Sequence, residues 1–370
     1  MLALRKNFGA VLEPSCGDGA FSNRLTNCTA IELDSTKAPA NARVMDFFDF
    51  PASKKFDTII GNPPYVRYQD IGTSTKRKLD LKLFDERSNL YLFFIEKCVR
   101  HLKPNGELIF ITPRDFLKAT SSRKLNALLY KLGTITDFID LGDARIFAGF
   151  SPNCAIWRFE LGNFSRRTNV SKNFICANGQ LMFTDKEYPV RFSDVFFVKV
   201  GAVSGCDEVF TSDEFGNREF VCSETYRTGE TRRMIFDTKH SSLEPHQQRL
   251  LGRRIKMFDA SNWWQWGRRH FVSGATRIYV NCKTRDGKPF FLHECNDYDG
   301  SVLAVFPREE SADVHELCRL LNEVDWRELG FICDGRFLFS QKSLEQCMLP
   351  DFFLPHVVAP YQYAFANEGT

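Results

Sequence analysis

The tetrapeptide Asn62-Pro63-Pro64-Tyr65 combines hydrogen-bond acceptors with a rigid backbone. Its two prolines keep the chain extended and carry no N–H donor, so the carbonyl of Pro63 can face outward. Together with the side-chain oxygen of Asn62, this carbonyl could accept both hydrogens of one amino group. Such a pair draws an aromatic amino nitrogen toward tetrahedral geometry and frees its lone pair to attack an electrophilic methyl carbon. The pattern therefore predicts methyl transfer to an amino group such as that of adenine.

Tyr65 follows the acceptor pair and could stack on a substrate base. A base inside a duplex cannot bring its reacting atom to a protein cleft, so it would have to leave the stack. Stacking on an aromatic ring contributes about 1–3 kcal/mol, which offsets part of the unstacking cost. The tetrapeptide alone would equally suit a surface turn or a linker. Its position directly after the apolar strand Asp57 to Ile60 favours the catalytic interpretation.

A second candidate site is the turn Glu13 to Gly19, which follows the first apolar segment. Gly17 and Gly19 lack Cβ atoms, so the backbone can approach a ligand there, and Glu13 offers an anion to a cationic ligand group. Glu32 stands 19 residues after Glu13, where an acid can accept hydrogen bonds from both ribose hydroxyls. A glycine turn alone is also consistent with a tight connection without a ligand. The second acid favours nucleoside binding.

Asp46 and Phe47 lie near the expected end of a third strand. Asp46 could accept a hydrogen bond from an adenine amino group, and Phe47 could stack on the adenine face. Alternatively, Phe47, Phe48 and Phe50 could all belong to the hydrophobic core.

Residues 1–162 alternate short apolar runs with helix-like segments, the pattern of a mostly parallel sheet covered by helices. The first strand is expected to turn into a helix. Ser88 is expected to cap a further helix that Pro104-Asn105-Gly106 ends, and another should run from Phe116 to Lys131. Ligands of such sheets bind beyond the carboxyl ends of the strands. The expected strands are Ala10 to Leu12, Thr29 to Leu33, Asp57 to Ile60, Leu108 to Thr112, Ile135 to Leu141 and Cys154 to Phe159.

After the polar stretch Gly162 to Lys172, which is typical of a linker, short strands and turns replace this alternation. We therefore expect a Rossmann-like α/β domain over residues 1–162 and a mixed α+β domain over residues 173–370. In a chain of net charge +3, the segment Arg227 to Lys288 holds 14 Lys or Arg against 5 Asp or Glu, a net +9. Such a segment is typical of a nucleic-acid surface, although a solvated basic face gives the same count.

The composition argues against several other classes of protein. No apolar run among the 370 residues approaches the roughly 18 needed to cross a bilayer, and no signal-peptide pattern is present. The 12 Cys include no Cys-x-x-Cys spacing, and Cys282, His293 and Cys295 fit no common zinc template. We expect a cytoplasmic, monomeric protein with reduced thiols, without a metal and without a membrane partner.

Together these residues resemble the gamma-type adenine-N6 DNA methyltransferases of restriction-modification systems, the TaqI-like group, over roughly residues 10–160. The resemblance implies S-adenosylmethionine as the cofactor and N6 of a flipped-out adenine in double-stranded DNA as the methyl acceptor. A cognate restriction endonuclease is the implied protein partner. It also implies that Glu13, Gly17 and Gly19 bind the methionine part of the cofactor, that Glu32 binds the ribose, and that Asp46 and Phe47 bind the adenine. The implied catalytic loop is Asn62, Pro63, Pro64 and Tyr65.

Other segments resemble the DNA-binding parts of this family. Phe147, ahead of Cys154-Ala155-Ile156, is similar to a second aromatic contact to the flipped base, and Val200 to Phe210 is similar to the start of the target-recognition domain. Lys76 and Arg77 lie soon after the tetrapeptide, where they could contact DNA. The C-terminal basic candidates for DNA contact, interleaved with Trp263, Trp264 and Trp266, are Arg253, Arg254, Arg268 and Arg269.

Two departures from the family pattern leave alternatives open. The family normally carries an N-terminal segment that closes over the methionine end of the cofactor, whereas nine residues precede Ala10 here. Asn89 also stands where the family usually has Asp. A catalytically dead DNA-binding specificity module is therefore one alternative. A glutamine-N5 protein methyltransferase, an rRNA methyltransferase and an N4-cytosine DNA methyltransferase are the others, because related tetrapeptides occur in them.

Overall fold

The computed structural model of the chain describes residues 1–142, 153–255, 257–333 and 335–358. The chain divides into two compact units. The first comprises Met1–Lys186 and Glu328–Gly335, and the second comprises Glu187–Arg327 and Arg336–Thr370. Within the described ranges, none of the helices has the length and apolar composition needed to cross a membrane.

Nine strands precede residue 187 among the described residues of the first unit. They are β1 (Val11–Glu13), β2 (Cys28–Glu32), β3 (Arg43–Val44), β4 (Phe56–Gly61), β5 (Leu102–Pro113), β6 (Gly133–Asp140), β7 (Cys154–Leu161), β8 (Asn173–Ala177) and β9 (Gln180–Thr184). The first seven form one sheet in the order β3-β2-β1-β4-β5-β7-β6. Strands β1 to β5 pair with one another in parallel, and β7 is antiparallel to both β5 and β6. The mostly parallel sheet expected from the sequence is confirmed.

The helices of this unit are α1 (Thr73–Lys76), α2 (Leu90–His101) and α3 (Arg123–Leu132). α2 packs an almost wholly apolar surface into the core of the unit. Its cap is Asn89, one residue after the expected Ser88, because the Asn89 side chain accepts a hydrogen bond from the Tyr91 N–H. α2 ends at His101, before residues 104–106. These residues lie within β5, where the register against β4 shifts.

Two expected helices differ in the structure. No α-helix follows β1, because Gly17 and Gly19 take positive φ angles of 54° and 86° and only the 3-10 turn Ser22–Arg24 precedes β2. The helix expected from Phe116 to Lys131 is divided into two 3-10 turns and α3. The Asn126 side-chain amide donates to the carbonyls of Phe116 and Leu117 at 2.8 and 3.2 Å, so these carbonyls are used by a side chain instead of a continuous helix.

The hairpin β8–β9 belongs to the first unit, and so does the polar stretch 162–172 before it. The hairpin packs against α3, where the Arg123 side chain donates to the Asn178 carbonyl at 2.7 Å and Asn126 donates to the Gly179 carbonyl at 2.9 Å. Tyr130 of α3 lies 5.3 Å from Phe174 of β8, measured between ring centroids. The first segment of this unit therefore runs to Lys186 and includes residues beyond the expected boundary at 162.

A buried ion pair ties β5 to β7 near the amino ends of the parallel strands. Glu107 is fully buried and accepts a hydrogen bond from the Arg158 guanidinium at 2.6 Å. It also accepts bonds from the Thr58 hydroxyl at 2.9 Å and from the backbone N–H groups of Lys6 and Asn7 at 3.0 and 2.8 Å. The segment before β1 is thus fixed to the sheet through one buried carboxylate.

The remaining elements are short and mixed, as expected for an α+β domain. The described strands are β10 (Val190–Arg191), β11 (Phe196–Val200), β12 (Arg218–Phe220), β13 (Arg232–Met234), β14 (Ile278–Asn281), β15 (Lys283–Thr284), β16 (Phe290–Phe291), β17 (Val302–Pro307), β18 (Ile332–Cys333, in the segment assigned to the first unit), β19 (Arg336–Leu338) and β20 (Met348–Leu349). Four of them form an antiparallel sheet in the order β11-β17-β14-β16. The helices are α4 (Phe192–Val195), α5 (Asp207–Phe210), α6 (Thr225–Thr228), α7 (Gln247–Leu251), α8 (Val314–Glu323) and α9 (Gln341–Glu345).

Tryptophans contribute to the core of the second unit. Trp263 and Trp266 are each 2% exposed, and the Trp266 ring stacks on Phe220 with a centroid distance of 5.0 Å. Trp264 is only partly buried against the same core. Two of the three tryptophans in the basic segment are therefore structural.

Candidate functional site

The strand order of the first unit reverses between β1 and β4. The chain proceeds from β1 to β2 and β3 on one side of this point and from β4 to β5 on the other. Such a reversal leaves a crevice at the carboxyl ends of the two strands. Glu13 is the last residue of β1, and Asn62 follows Gly61, the last residue of β4. The two motifs found in the sequence therefore lie side by side at the crevice.

A cavity of about 260 Å³ lies at this edge of the sheet. Its walls come from the turn after β1, the ends of β2 and β3, the tetrapeptide and the loop that follows it. This volume suits a nucleoside-sized ligand. The lining residues are Pro14, Ser15, Glu32, Leu33, Met45, Asp46, Phe47, Phe48, Pro64, Val66, Asp70, Ile71, Gly72, Thr75, Leu90 and Phe94.

Glu32 lies on the cavity wall and is bonded to the turn that contains Gly17. The two carboxylate oxygens of Glu32 accept the N–H groups of Gly17 and Asp34, at 2.8 and 2.9 Å. These bonds fix the carboxylate, and each oxygen keeps a lone pair for a ligand hydroxyl. A Cβ at Gly17 would meet no atom within 4 Å and would project into open space, whereas one at Gly19 would lie 2.6 Å from the Asn23 side chain. Gly17 thus leaves room at the site, and Gly19 shapes the turn.

Glu13 is a buried acid, with 1% of its surface exposed. Burial raises the pKa of its carboxyl to about 7, although a 2.7 Å hydrogen bond from the Ser22 N–H acts in the opposite direction. Within the described part of the chain, no Lys, Arg or His forms an ion pair with it. A buried carboxyl of this kind is suited to receive a cationic group from a ligand.

Asp46 has both carboxylate oxygens engaged. One accepts the Phe48 N–H at 2.9 Å, and the other accepts the Thr75 hydroxyl at 2.8 Å and the Lys78 ammonium at 3.0 Å. Burial acts to raise the pKa of this carboxyl, but the three hydrogen bonds together lower it below its usual value. Asp46 is therefore an ionised acceptor on the cavity wall.

The ring of Phe47 packs into the core. Phe47 is 2% exposed, and its ring centroid lies 5.0 Å from that of Phe94 and 5.6 Å from that of His101. Little of the ring is left to stack on a ligand, which favours the core interpretation of this aromatic run. Leu33 and Met45, which the sequence analysis missed, are the more accessible apolar residues of the cavity. Leu33 is 63% exposed, and its position directly after Glu32 at a strand end was the available signal.

The tetrapeptide presents an unpaired acceptor. The side-chain oxygen of Asn62 is buried, and no donor within the described residues reaches it. In the same part of the structure, no hydrogen bond is formed to the Pro63 carbonyl either. An acceptor that is removed from water and unpaired costs free energy, so its presence at a ligand crevice indicates a donor supplied from outside.

Tyr65 is oriented by neighbouring elements. Its hydroxyl donates to the Ile111 carbonyl of β5 at 2.8 Å, and its ring meets that of Tyr91 edge-on at 5.9 Å. Tyr91 is fixed in turn by a 2.9 Å hydrogen bond to Asp115. Burial raises the pKa of Tyr65 well above its usual value, so the hydroxyl stays protonated.

The predicted DNA contacts differ in exposure. Arg253 is only 8% exposed and donates to the carbonyls of four residues: Leu250, Ser204, Trp263 and Gln265. This corrects the expectation from sequence, because a buried arginine that holds backbone carbonyls together is structural. Arg254, Arg268 and Arg269 are exposed, although Arg268 donates to the Gly201 carbonyl and Arg269 pairs with Asp237.

The basic residues after the tetrapeptide remain accessible. Arg77 is exposed, and the Lys76 ammonium lies 4.8 Å from the centroid of the Tyr68 ring. Phe147, the expected second aromatic contact, lies outside the described residues. No group of three or more His, Cys, Asp or Glu suited to a metal ion occurs in the part of the chain that the structure describes.

Comparison with known proteins agrees with this geometry. Residues 19–147 match the family model described as Eco57I restriction-modification methylase. The matched segment includes Glu32, Asp46 and the tetrapeptide, and it begins after Glu13 and Gly17.

Sequence relatives extend the methylase likeness over about half of the chain. The chain is 30% identical over 211 residues to the Type II methyltransferase M.HincII of Haemophilus influenzae, and this alignment covers 52% of the chain and 41% of the relative. It is 27% identical over 243 residues to the Type II methyltransferase M.BanIII of Aneurinibacillus aneurinilyticus, covering 55% and 41%. The similarity thus spans about two fifths of the length of these relatives.

A solved structure shares the fold across both units. The Type IIL restriction-modification enzyme MmeI, solved in complex with DNA, matches with a TM-score of 0.63 over 91% of this chain and 62% of that chain. The sequence identity is 12%, so the likeness concerns the fold alone.

Proposed function

We propose that this chain is an S-adenosylmethionine-dependent DNA methyltransferase of a restriction-modification system that methylates N6 of a flipped-out adenine. The observation that carries the proposal is the buried, unpaired oxygen of Asn62 beside a nucleoside-sized cavity. The match of residues 19–147 to a methylase family model supports the same reaction class.

The crevice fits the cofactor in four respects. Glu32 can accept hydrogen bonds from the ribose hydroxyls, Asp46 from the adenine amino group, and Glu13 can pair with the cationic methionine end. Gly17 has open space where a Cβ would project, so the backbone of the turn stays accessible to a ligand. When bound, S-adenosylmethionine supplies an electrophilic sulfonium methyl group.

The tetrapeptide acts on the substrate amino group. The Asn62 side-chain oxygen and the Pro63 carbonyl accept its two hydrogens, which localises the nitrogen lone pair that is otherwise delocalised into the ring. Both are neutral oxygens and too weakly basic to keep a proton, so the surplus proton passes to solvent. The chain therefore positions the nucleophile without a dedicated general base.

Tyr65 holds the flipped base in plane. Its hydroxyl is anchored on Ile111 and its ring is braced by Tyr91, so the face toward the crevice is fixed before a base arrives. A prearranged stacking surface reduces the ordering cost of binding and offsets the cost of unstacking the base from the duplex.

Exposed or partly exposed basic residues supply the contacts to the DNA backbone. We assign Lys76 and Arg77 of the first unit, and Arg254, Arg268 and Arg269 of the second, to phosphate or base contacts. The proposal includes action as a monomer beside a cognate restriction endonuclease.

The test compares Asn62→Ala with the exposed control Asn41→Ala. The proteins are incubated with S-adenosylmethionine and mixed-sequence DNA, and modified bases are mapped by single-molecule sequencing. Asn62→Ala should reduce methylation by about 100-fold or more, because a preorganised polar group at the reacting atom is lost. Cofactor binding, measured by calorimetry, should stay near that of the unaltered protein.

Four outcomes would contradict the proposal. Absence of N6-methyladenine despite cofactor binding would exclude the adenine reaction, and modified cytosine in its place would reassign the product to N4. DNA binding without any cofactor heat would indicate a dead specificity module. Full methylation by Asn62→Ala would remove the assigned role of Asn62.

A further inference from the structure

The loop after the tetrapeptide forms one wall of the cofactor cavity. Ile71 is 6% exposed and packs into the core, which fixes the start of the turn that contains α1. Gly72 and Thr75 line the cavity itself. The chain that leaves the proposed catalytic residues therefore passes directly over the proposed cofactor site.

The same turn fixes the acid assigned to the cofactor adenine. Thr75 and Lys78 both bond to one carboxylate oxygen of Asp46, and only 9% of the Asp46 side chain is exposed. Lys78 also reaches Asp49 at 2.5 Å, so it bridges two carboxylates. We call the set Asp46, Thr75 and Lys78 the Asp46 latch. With the latch closed, Asp46 keeps its ionised form and its orientation toward the cavity.

The outer side of the turn is basic and accessible. Arg77 lies between two latch residues in the sequence, is exposed, and forms no ion pair within the described ranges. The neighbouring Lys76 rests on the Tyr68 ring. A DNA phosphate is the counter-charge that such a side chain takes when a duplex is bound.

We propose that the turn from Thr73 to Lys78 couples cofactor binding to DNA binding, with Thr75 and Lys78 as positioning residues that act through Asp46. This inference rests on the proposed function. Cofactor adenine bound to Asp46 and phosphate bound to Arg77 favour the same placement of one short turn. Because coupling between two binding sites is reciprocal, each ligand should raise the affinity for the other by the same factor.

The first test measures this coupling in the full chain. S-adenosylhomocysteine, which cannot donate a methyl group, is titrated by calorimetry into the protein alone and into the protein with an unmodified duplex. This duplex carries the motif that the protein methylates. DNA should lower the dissociation constant by about fivefold or more, the lower end of typical coupling between two sites. Arg77→Ala should reduce this gain to less than about twofold.

Matched variants then test the latch. Thr75→Val removes the hydroxyl but keeps the shape, and should weaken S-adenosylhomocysteine binding by about fivefold and reduce the DNA-induced gain. Thr73→Val, two residues away and exposed, should change neither. Lys78→Met should act like Thr75→Val, with the exposed Lys82→Met as its control. Hydrogen exchange of residues 71–78 in the unaltered protein should slow when either ligand binds.

Each result separates the coupling from the proposed function. Equal S-adenosylhomocysteine affinity with and without DNA, in a protein that methylates adenine, would overturn the coupling and leave the function intact. Equal effects of Thr73→Val and Thr75→Val would overturn the latch, and so would unchanged hydrogen exchange of residues 71–78 with both ligands. Failure of the chain to bind S-adenosylhomocysteine at all would count against the proposed function itself.

Discussion

Glu13 should make cofactor binding depend on pH near neutrality. Burial disfavours the ionised form of its carboxyl and raises the pKa to about 7. The proposed ligand brings a cationic methionine end to this position, and a nearby cation stabilises the carboxylate. Binding should therefore require the ionised form and should release a proton when it begins from the protonated form.

The expected size of the effect follows from that pKa. About one tenth of the Glu13 side chains are ionised at pH 6 and about nine tenths at pH 8. Affinity should accordingly rise about tenfold between these values, which corresponds to about 1.4 kcal/mol of binding free energy. The sign is fixed by the raised pKa: binding is weak below about pH 7 and reaches its plateau above it.

Calorimetric titration of S-adenosylhomocysteine at several pH values, in two buffers of different ionisation enthalpy, measures both the affinity and the proton release. Glu13→Gln keeps the shape and should bind with an affinity that changes little over this range. The exposed neighbour Asp18 provides the control, since Asp18→Asn should keep the tenfold rise. A flat profile in the unaltered protein, or an equal rise in Glu13→Gln, would refute the assignment.

Three further predictions concern single side chains. Arg253→Met should lower the free energy of unfolding by about 2–4 kcal/mol, because four carbonyls lose a buried donor. Arg254→Ala should leave the melting temperature unchanged and should reduce the salt dependence of DNA binding by about one phosphate contact. Glu107→Gln should lower the free energy of unfolding, measured by urea denaturation, by about 3 kcal/mol because it breaks the buried ion pair with Arg158. An unchanged free energy of unfolding would argue against that pair. Tyr65→Phe should retain methylation within about tenfold, because it loses one hydrogen bond. Tyr65→Ala should lose about 1–3 kcal/mol of base stacking, measured as a lower rate of methylation, and equal activities of the two variants would contradict the stacking role.

The parts of the fold that the sequence predicted well depend on strong local patterns. The apolar runs that end at Leu12 and Ile60 were expected to be strands of a mostly parallel sheet, and parallel strands bring their carboxyl ends to one edge. The adjacency of Glu13 and Asn62 follows from these two facts. It needed no knowledge of the loops.

Other features depended on contacts between distant residues. The helix expected from Phe116 to Lys131 is broken by hydrogen bonds from Asn126, which also reaches the distant hairpin at Gly179. Arg253 lies in a basic, tryptophan-rich segment that is typical of a DNA contact. Only the backbone carbonyls that surround it in the folded chain show that it is structural. The bonds from Thr75 and Lys78 to Asp46 join residues about thirty positions apart, and no periodicity in the sequence encodes such contacts.

The unpaired oxygen of Asn62 has a consequence for how the chain responds to selection. A buried acceptor without a donor costs about 1–3 kcal/mol, a sizeable part of the margin that keeps a domain folded. Laboratory selection for thermal stability alone should therefore favour apolar replacements at this position early. The resulting proteins should have a higher melting temperature and no methyltransferase activity. Stabilising the chain for use as a reagent should begin elsewhere, with position 62 held constant.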